Sequence, residues 1–280
     1  MSRRRRLAAL LLAAAQLLTG CAAAAPAPAP APAAGTLELH VFDAGAADAI
    51  LLRTENSAVL IDAGEKGFGK TILAYQAEQG VDALDYLIVT HFDKDHVGGA
   101  AKVLNGIPVK AVLQSNQPKD SDEYENYVEA LRGAGIEPVT LRETDTFSLD
   151  GVSYTVDPPR QSAYAQDSSN NSSLIVSVRY GDTGVLLPGD AQTLRLAEFL
   201  DANTETYDVL KLPHHGRDEP LLEALLASVK PTYAIITSSE EEPESGAVLA
   251  ALEQAGVRTL LTRNQSVTLY SDGITIKQKE

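Results

Sequence analysis

The sequence predicts an α/β fold in which two β-sheets are covered by helices on their outer faces. Three short β-rich runs open the folded part, a second β-rich stretch lies near its middle, and strands alternate with helices elsewhere. No internal repeat and no second linker interrupts this pattern. We therefore expect a single domain over residues 36–280.

The N-terminal segment has the composition of a secretion signal, not of a folded domain. Arginines at positions 3–6 precede the apolar run LAALLLAAAQLL, which is shorter than the roughly 20 residues that cross a bilayer. Small residues then lead to Cys21, the only cysteine in the chain. This arrangement resembles a bacterial lipobox, which implies removal of residues 1–20 and lipid attachment to the Cys21 sulfur. An ordinary secretory signal with an incidental cysteine is the alternative.

Residues 21–35 are rich in alanine and proline, a composition typical of an extended tether. With a lipid at Cys21, such a tether would hold the domain off a membrane. We therefore expect a secreted monomer, anchored to the outer face of the bacterial cytoplasmic membrane or cell envelope. A single cysteine also excludes an internal disulfide.

The charge of the chain argues against a general nucleic-acid-binding protein. Lys and Arg number 23 and Asp and Glu 38, a net charge of −15. Removing residues 1–20, which hold four arginines and no acid, gives (23 − 4) − 38 = −19. Such a surface repels polyanions at long range.

The elements of the first half alternate after the opening strands. Strands are predicted at residues 36–45, 48–54 and 57–64. Helices are then predicted around residues 70–79, after His96 and around 123–132, and they precede strands at 85–91, 109–115 and 137–141.

The second half begins with β-structure and then alternates again. Strands are predicted at residues 146–156, 173–180 and 184–190. A helix after Asp190 and helices at 221–229 and 248–254 separate strands at 208–213, 233–238 and 257–262, and a hairpin closes the chain at 267–278.

Four of the five histidines fall into two clusters, and each cluster follows an apolar strand. Loops at the carboxyl ends of strands are where α/β proteins collect ligands. The segment HFDKDH brings together His91, Asp93, Asp95 and His96, and imidazole with carboxylate suits zinc, manganese or iron. A solvated polar turn is the alternative, which the density of ligands and the following Gly98-Gly99 pair disfavour.

The remaining candidates come from three other segments. Asp190 ends a buried strand, where it would either bridge two metals or cap the next helix. In LPHHGR, only one of His214 and His215 is expected to face a metal. Asp62 would orient a ligating histidine, whereas His40 lies inside a strand without a partner cluster.

Taken together, LIDAG, THFDKDHVGG, LLPGD and LPHHG resemble the metallo-β-lactamase fold superfamily. The likeness spans residues 37–278 and is greatest to the hydrolase domain of ComEC-type DNA-uptake proteins and their free-standing secreted relatives. VFDAGAADAILLRT resembles the DVGQGDA segment of that group, and NNSSLIVSV resembles its Asn/Ser strand. The resemblance implies a four-layer αββα sandwich of two mixed β-sheets flanked by helices.

The resemblance also implies a hydrolase with two divalent metal ions, zinc or manganese. One ion would be held by His91, Asp93 and a histidine of the 214–215 pair, most simply His215. The other would be held by Asp95 and His96, and Asp190 would bridge the two. A metal-activated water is then the nucleophile, with Asp95 and Asp190 as the catalytic carboxylates.

The sequence departs from the family pattern in ways that affect this ligand set. Asp93 stands where many members have histidine, and Ala46 and Ala47 replace the glutamine and glycine of DVGQGDA. No histidine follows His215, so Glu242 is the candidate for the missing late ligand.

A phosphodiester is the substrate class that this branch implies, either nucleic acid or a small or wall-associated phosphoester. Lys94 and Arg217 are candidates to bind the phosphate, unless both are merely solvated loop charges. Hydrolysis of another ester, a lactone or a lactam is the alternative reaction. A catalytically inactive, metal-free binding lipoprotein of the same fold is the alternative function.

Overall fold

The computed structural model describes residues 35–279. Cys21 and all but the last residue of the predicted tether, residues 21–35, lie outside the described residues, as does the predicted signal of residues 1–20. Among the described residues, no helix is both long enough and apolar enough to cross a membrane.

The described chain forms fifteen strands that belong to two sheets. In chain order they are β1 (Leu37–Val41), β2 (Ala49–Arg53), β3 (Ala58–Ala63), β4 (Leu84–Val89), β5 (Val109–Gln114), β6 (Val139–Thr140), β7 (Asp145–Leu149), β8 (Val152–Asp157), β9 (Ile175–Tyr180), β10 (Thr183–Leu187), β11 (Val209–Lys211), β12 (Tyr233–Ile236), β13 (Arg258–Leu261), β14 (Val267–Ser271) and β15 (Ile276–Gln278). The first sheet has the order β15-β14-β1-β2-β3-β4-β5-β6 and the second the order β13-β12-β11-β10-β9-β8-β7.

Eight α-helices and one 3₁₀ turn connect these strands. They are α1 (Gly69–Glu78), α2 (Lys94–Val97), α3 (Ala100–Leu104), α4 (Asp122–Ala134), α5 (Ser168–Asn171), α6 (Thr193–Ala202), the 3₁₀ turn (Pro213–Gly216), α7 (Leu222–Val229) and α8 (Gly246–Gln254).

Both sheets are mixed, and their parallel parts position the functional loops. In the first sheet β3, β4, β5 and β6 pair in parallel, whereas the strands from β15 to β3 pair antiparallel. In the second sheet β10, β11, β12 and β13 pair in parallel. Loops that leave parallel neighbours emerge at the same edge of a sheet, so the segments after β10 and β11 are brought together.

Three apolar clusters fill the space between and outside the sheets. The inner cluster combines one face of each sheet, with Leu39 and Ile61 from the first and Val176 and Val209 from the second. A second cluster packs the outer face of the first sheet against α1, α3 and α4, and a third packs the second sheet against α6, α7 and α8. The four-layer αββα sandwich is therefore confirmed.

Almost every predicted element is present, and the main difference is a short helix. Residues 168–171 form α5, which the sequence does not predict, and the strand predicted at 173–180 begins at Ile175. Asp190 does not cap α6, because Gln192 occupies the cap position. The alternative interpretation of Asp190 as a helix cap is therefore wrong.

The glycine pair after the HFDKDH segment allows two backbone segments to touch. A Cβ atom on Gly99 would lie 2.1 Å from the carbonyl oxygen of Ala63 and 2.9 Å from the amide nitrogen of Gly69. Neither backbone atom can move without disturbing β3 or α1. A side chain at this position would therefore push the loop that carries His96 away from the sheet.

We expect Gly99→Ala to lower the free energy of unfolding by about 1–3 kcal/mol, the usual cost of overpacking. Gly133→Ala is the matched control, because Gly133 lies in α4 and a Cβ there meets nothing within 4 Å. That control should raise stability or leave it unchanged. Urea denaturation followed by circular dichroism measures both, and equal stability of the two variants would contradict the packing argument.

Candidate metal centre

Three loops from distant parts of the chain meet at one edge of the sandwich. The loop after β4 supplies His91 and Asp93 and continues into α2, which carries Asp95 and His96. The loop after β10 supplies Asp190, and the 3₁₀ turn after β11 supplies His215. Side chains that are about 120 residues apart in the sequence are thus brought together by strand ends.

Asp95, His96, Asp190 and His215 form a compact group of four potential metal donors, one atom from each lying within 4.8 Å of the others. His96 Nε2 lies 3.2 Å from Asp190 Oδ1, and His215 Nε2 lies 3.2 Å from Asp190 Oδ2. Asp95 Oδ2 lies 3.3 Å from His215 Nε2 and 3.9 Å from His96 Nε2. In a tetrahedral site with bonds of roughly 2.1 Å, neighbouring ligand atoms are about 3.4 Å apart. The four side chains therefore fit a single divalent cation.

Each imidazole of the site is oriented by a contact of its Nδ1 atom, the ring nitrogen that faces away from the donor cluster. His96 Nδ1 lies 2.8 Å from Asp62 Oδ2, and His215 Nδ1 lies 2.9 Å from Thr237 Oγ1. His91 Nδ1 contacts the Thr90 hydroxyl at 3.1 Å. Hydrogen bonds of this kind fix the tautomer and aim the other nitrogen.

The opposite nitrogen of each of these rings lacks a protein partner. His91, His96 and His215 are buried, and their Nε2 atoms have no hydrogen-bond partner among the described residues. Buried polar atoms are rarely left unsatisfied, because desolvation without a partner is costly. The Nε2 atoms of His96 and His215, beside two carboxylates, are what a cation-binding site presents, and His91 Nε2 is an unpaired donor next to that site.

The backbone at this site is held in an uncommon conformation. Asp62, His214 and His215 have φ angles of 55°, 47° and 54°. Residues other than glycine enter this left-handed region at a cost, and such positions concentrate at functional sites. In the 3₁₀ turn this conformation turns the two adjacent imidazoles in different directions.

Carboxylates surround the imidazoles and change their proton affinity. Burial lowers the pKa of His215, but the neighbouring Asp190 and Asp95 together outweigh it and raise that pKa to about 9. Burial also lowers the pKa of His96, while Asp190 and Asp62 raise it well above its ordinary value. Although burial raises the pKa of Asp190, His215 and His96 hold it well below the ordinary range. The cluster therefore favours positive charge between its carboxylates, which a proton or a divalent cation can provide.

A buried ion pair that sequence reasoning missed supports this cluster from behind. Lys211 Nζ lies 2.5 Å from Asp48 Oδ2 and 3.5 Å from Asp190 Oδ1, and its side chain is fully buried. The other oxygen of Asp48 accepts a hydrogen bond from Thr237, which contacts His215. Asp48 and Lys211 therefore fix both Asp190 and His215. The signal available in the sequence was a lysine inside the apolar run DVLKLP.

His91 and Asp93 lie beside this cluster without joining it. The rings of His91 and His96 are 4.1 Å apart between centroids, and burial lowers the pKa of His91 to about 4. The Asp93 carboxylate accepts hydrogen bonds from the Lys119 ammonium and the Ser169 hydroxyl. The expected division of ligands is corrected here, because His215 groups with Asp95 and His96 and not with His91 and Asp93.

The structure distinguishes between the two adjacent histidines of the 3₁₀ turn. His214 Nδ1 lies 3.1 Å from the side-chain amide of Gln192, and its Nε2 lies 3.5 Å from that of Asn170. Its ring centroid is 6.3 Å from that of His215. His214 therefore faces amide groups, and His215 faces the carboxylates.

Lys94 and Arg217, the candidate phosphate-binding residues, and Glu242, the candidate late metal ligand, lie on the surface. Lys94 has a side chain that is 72% exposed, and its ammonium is 3.4 Å from Glu65. Arg217 and Glu242 are exposed and pair with each other. The structure thus places Glu242 in a surface ion pair and outside the donor cluster, so it does not replace the missing late histidine.

The fold of this chain is similar to that of a protein with a crystal structure. The metallo-β-lactamase fold protein YhfI from Bacillus subtilis has a crystal structure that superposes with a TM-score of 0.56 at 11% sequence identity. The match covers 82% of this chain and 98% of that one. At this identity the likeness concerns the fold alone, which it confirms.

Two curated relatives are similar to this chain in sequence. The chain is 25% identical over 254 residues to Recombination protein 2 of Haemophilus influenzae, a match that covers 87% of this chain and 30% of the relative. It is 27% identical over 261 residues to ComE operon protein 3 of Bacillus subtilis, covering 83% and 33%. The chain therefore spans about a third of the length of these relatives, and the expected resemblance to ComEC-type competence proteins is confirmed.

The family model described as "Metallo-beta-lactamase superfamily" matches residues 42–238. That range contains β2 to β12 and every side chain of the donor cluster. It amounts to more than half of the chain. The protein belongs to the metallo-β-lactamase superfamily.

Proposed function

We propose that this protein is a metal-dependent phosphodiesterase whose cation is held by Asp95, His96, Asp190 and His215. The observation that carries the proposal is the convergence of two carboxylates on buried imidazole nitrogens that make no hydrogen bond. A catalytically inactive, metal-free binder would have no need of these costly groups. Membership of a superfamily of metallohydrolases supports the same conclusion.

The protein residues have separable roles in such a reaction. When bound, a divalent cation supplies Lewis-acid polarisation of the substrate and acidification of water. Asp62 and Thr237 hold the His96 and His215 rings in their aimed orientations. Asp95 is 22% exposed while the other three donors are buried. Its carboxylate therefore faces the side from which substrate and water arrive, where it can accept a proton.

The substrate class follows from charge and from the relatives. Lys94, Lys119 and Arg217 are basic residues in the loops that follow β4, β5 and β11, and basic groups at such a rim stabilise phosphoryl oxygens. The relative named Recombination protein 2 favours a phosphodiester, the linkage of nucleic acids. The strongly acidic chain disfavours long polyanions. A small or wall-associated phosphodiester is therefore favoured over nucleic acid.

We expect the purified protein to hydrolyse bis-p-nitrophenyl phosphate with added manganese or zinc. His215→Asn should lower kcat/KM by at least about 10²-fold, because it removes a donor of the cation. His214→Asn is the matched control and should stay within a few-fold of the wild type, since His214 contacts amides. Asparagine is chosen for both because it tolerates left-handed backbone.

Parallel assays with single-stranded DNA, a β-lactam and a lactone test the substrate class. Turnover of the lactam or lactone in preference to the phosphodiester would reject the proposed substrate. No turnover of any substrate with either metal would leave the inactive binder as the function. Equal loss of activity in both histidine variants would contradict the assignment of His215.

Asp62 is expected to act through His96 and not on the substrate. Its carboxylate also accepts hydrogen bonds from the backbone and hydroxyl of Thr90, at 2.8 and 2.7 Å. Asp62→Asn keeps the shape and tolerates the φ angle of 55°. We expect roughly a 10–100-fold loss of metal affinity, the usual effect of removing an orienting carboxylate. Isothermal titration with manganese measures it, and unchanged affinity would contradict the orienting role.

A lipid anchor at Cys21 completes the proposal. In a bacterial host that processes lipoproteins, the full chain should partition into the detergent phase of a phase-separation assay, whereas Cys21→Ser should remain in the aqueous phase. The physical reason is that acyl chains contribute membrane affinity at about 0.8 kcal/mol per buried methylene. Equal partitioning of the two proteins would favour an ordinary secretory signal.

A further inference from the structure

The side chains that could bind a cation are unevenly divided between the two metal positions that the sequence predicts. Asp95, His96, Asp190 and His215 supply four donors around one point. At the adjacent position the candidates are His91 and Asp93. Within residues 35–279, no group of three or more convergent donors includes either of them. The expected second metal ion therefore lacks a matching donor set.

An ammonium group pairs with the carboxylate that was expected to bind the second cation. Lys119 comes from the loop between β5 and α4, and its Nζ forms an ion pair with Asp93 Oδ1 and lies 3.5 Å from Ser169 Oγ. Ser169, in α5, donates its own hydroxyl to the same carboxylate oxygen. The side chains of Lys119 and Asp93 are 37% and 23% exposed, so this pair is partly shielded from water.

Other polar groups near this position are hydroxyls and amides, which are poor substitutes for metal ligands. Ser173 Oγ and Thr90 Oγ1 contact His91 Nδ1 at 3.4 and 3.1 Å. Asn170, beside Ser169 in α5, has its side-chain amide near Gln192 and His214. Zinc sites use three or more Cys, His or carboxylate ligands from the protein. The elements around Asp93 therefore supply partners for an ammonium group, and among the described residues only His91 Nε2, which makes no hydrogen bond, is left there as a second metal donor.

The bridging carboxylate is also committed to the first position. Asp190 offers one oxygen towards His96 and the other towards His215, each at 3.2 Å. Lys211 contacts the first of these oxygens from the buried side at 3.5 Å. Both oxygens are thus directed at the first position.

We propose that this site binds a single divalent cation and that the Lys119 ammonium, paired with Asp93, takes the place of the second. A lysine and a divalent ion compete for the same carboxylate, because each requires its negative charge. Lys119 therefore sets the metal stoichiometry.

Metal content measures this directly. In equilibrium dialysis against saturating manganese, the wild type should bind about one equivalent, and Lys119→Met should bind a second through the released Asp93 and His91, with water as its remaining ligands. Adding Asp93→Asn to that variant should restore the value of about one. Lys110→Met is the matched control, since Lys110 forms an ion pair of 2.7 Å with Asp85 on the surface, and it should retain the wild-type content.

Two results overturn the proposal. One is a wild type that holds two equivalents, and the other is a Lys119→Met protein, folded by circular dichroism, that still holds one. Lys119→Gln provides an uncharged polar variant, which should also bind a second equivalent of manganese. The measurement needs no substrate, so a failure of the proposed phosphodiesterase activity is seen separately from a failure of the stoichiometry.

Discussion

Buried carboxylates need positive charge close by, and this requirement organises the centre of the protein. An anion that is removed from water without a partner is strongly destabilising. Asp48 and Asp190 share the ammonium of Lys211, and Asp62 is paired with His96. The combined negative charge of Asp95 and Asp190 is not fully balanced in this way. Asp190 above all raises the pKa values of His96 and His215 against the effect of burial, so positive charge is favoured between the two carboxylates. A divalent cation satisfies that demand.

The same requirement connects the fold to the chemistry. Each side chain of the cluster sits just beyond a strand end, while Asp48 precedes β2 and Lys211 ends β11. The sandwich holds these strands through the inner apolar cluster, so the donor geometry is fixed by packing and not by the loops alone. Gly99 contributes by letting the α2 loop touch β3. Support from rigid strands is what keeps metal ligands in place.

The negative net charge of the chain is the reason for proposing a small substrate and not nucleic acid. The relatives are longer, and this chain corresponds to about a third of each. The matching segment of each relative is similar to this chain in sequence. The net charge of −15 is a property of this chain. The centre proposed for this protein, with one cation and a nearby ammonium, would suit a small anionic substrate, because the local positive charge acts over a short range in a field that is otherwise repulsive.

The sequence by itself determined two sheets with outer helices, nearly every strand and helix, and the segments that carry donors, because hydrophobic periodicity and the spacing of HFDKDH, PGD and HHG are local features. The four-layer αββα order came from the resemblance to the superfamily. Only the tertiary structure decided how those donors group. It joined His215 to Asp95 and His96, turned His214 towards amides, and brought Lys119 to Asp93 and Lys211 to Asp48. These contacts join residues from 22 positions apart (His214 and Gln192) to 211 − 48 = 163 positions apart (Lys211 and Asp48). Strand order and side-chain direction fix them, and no local pattern encodes either.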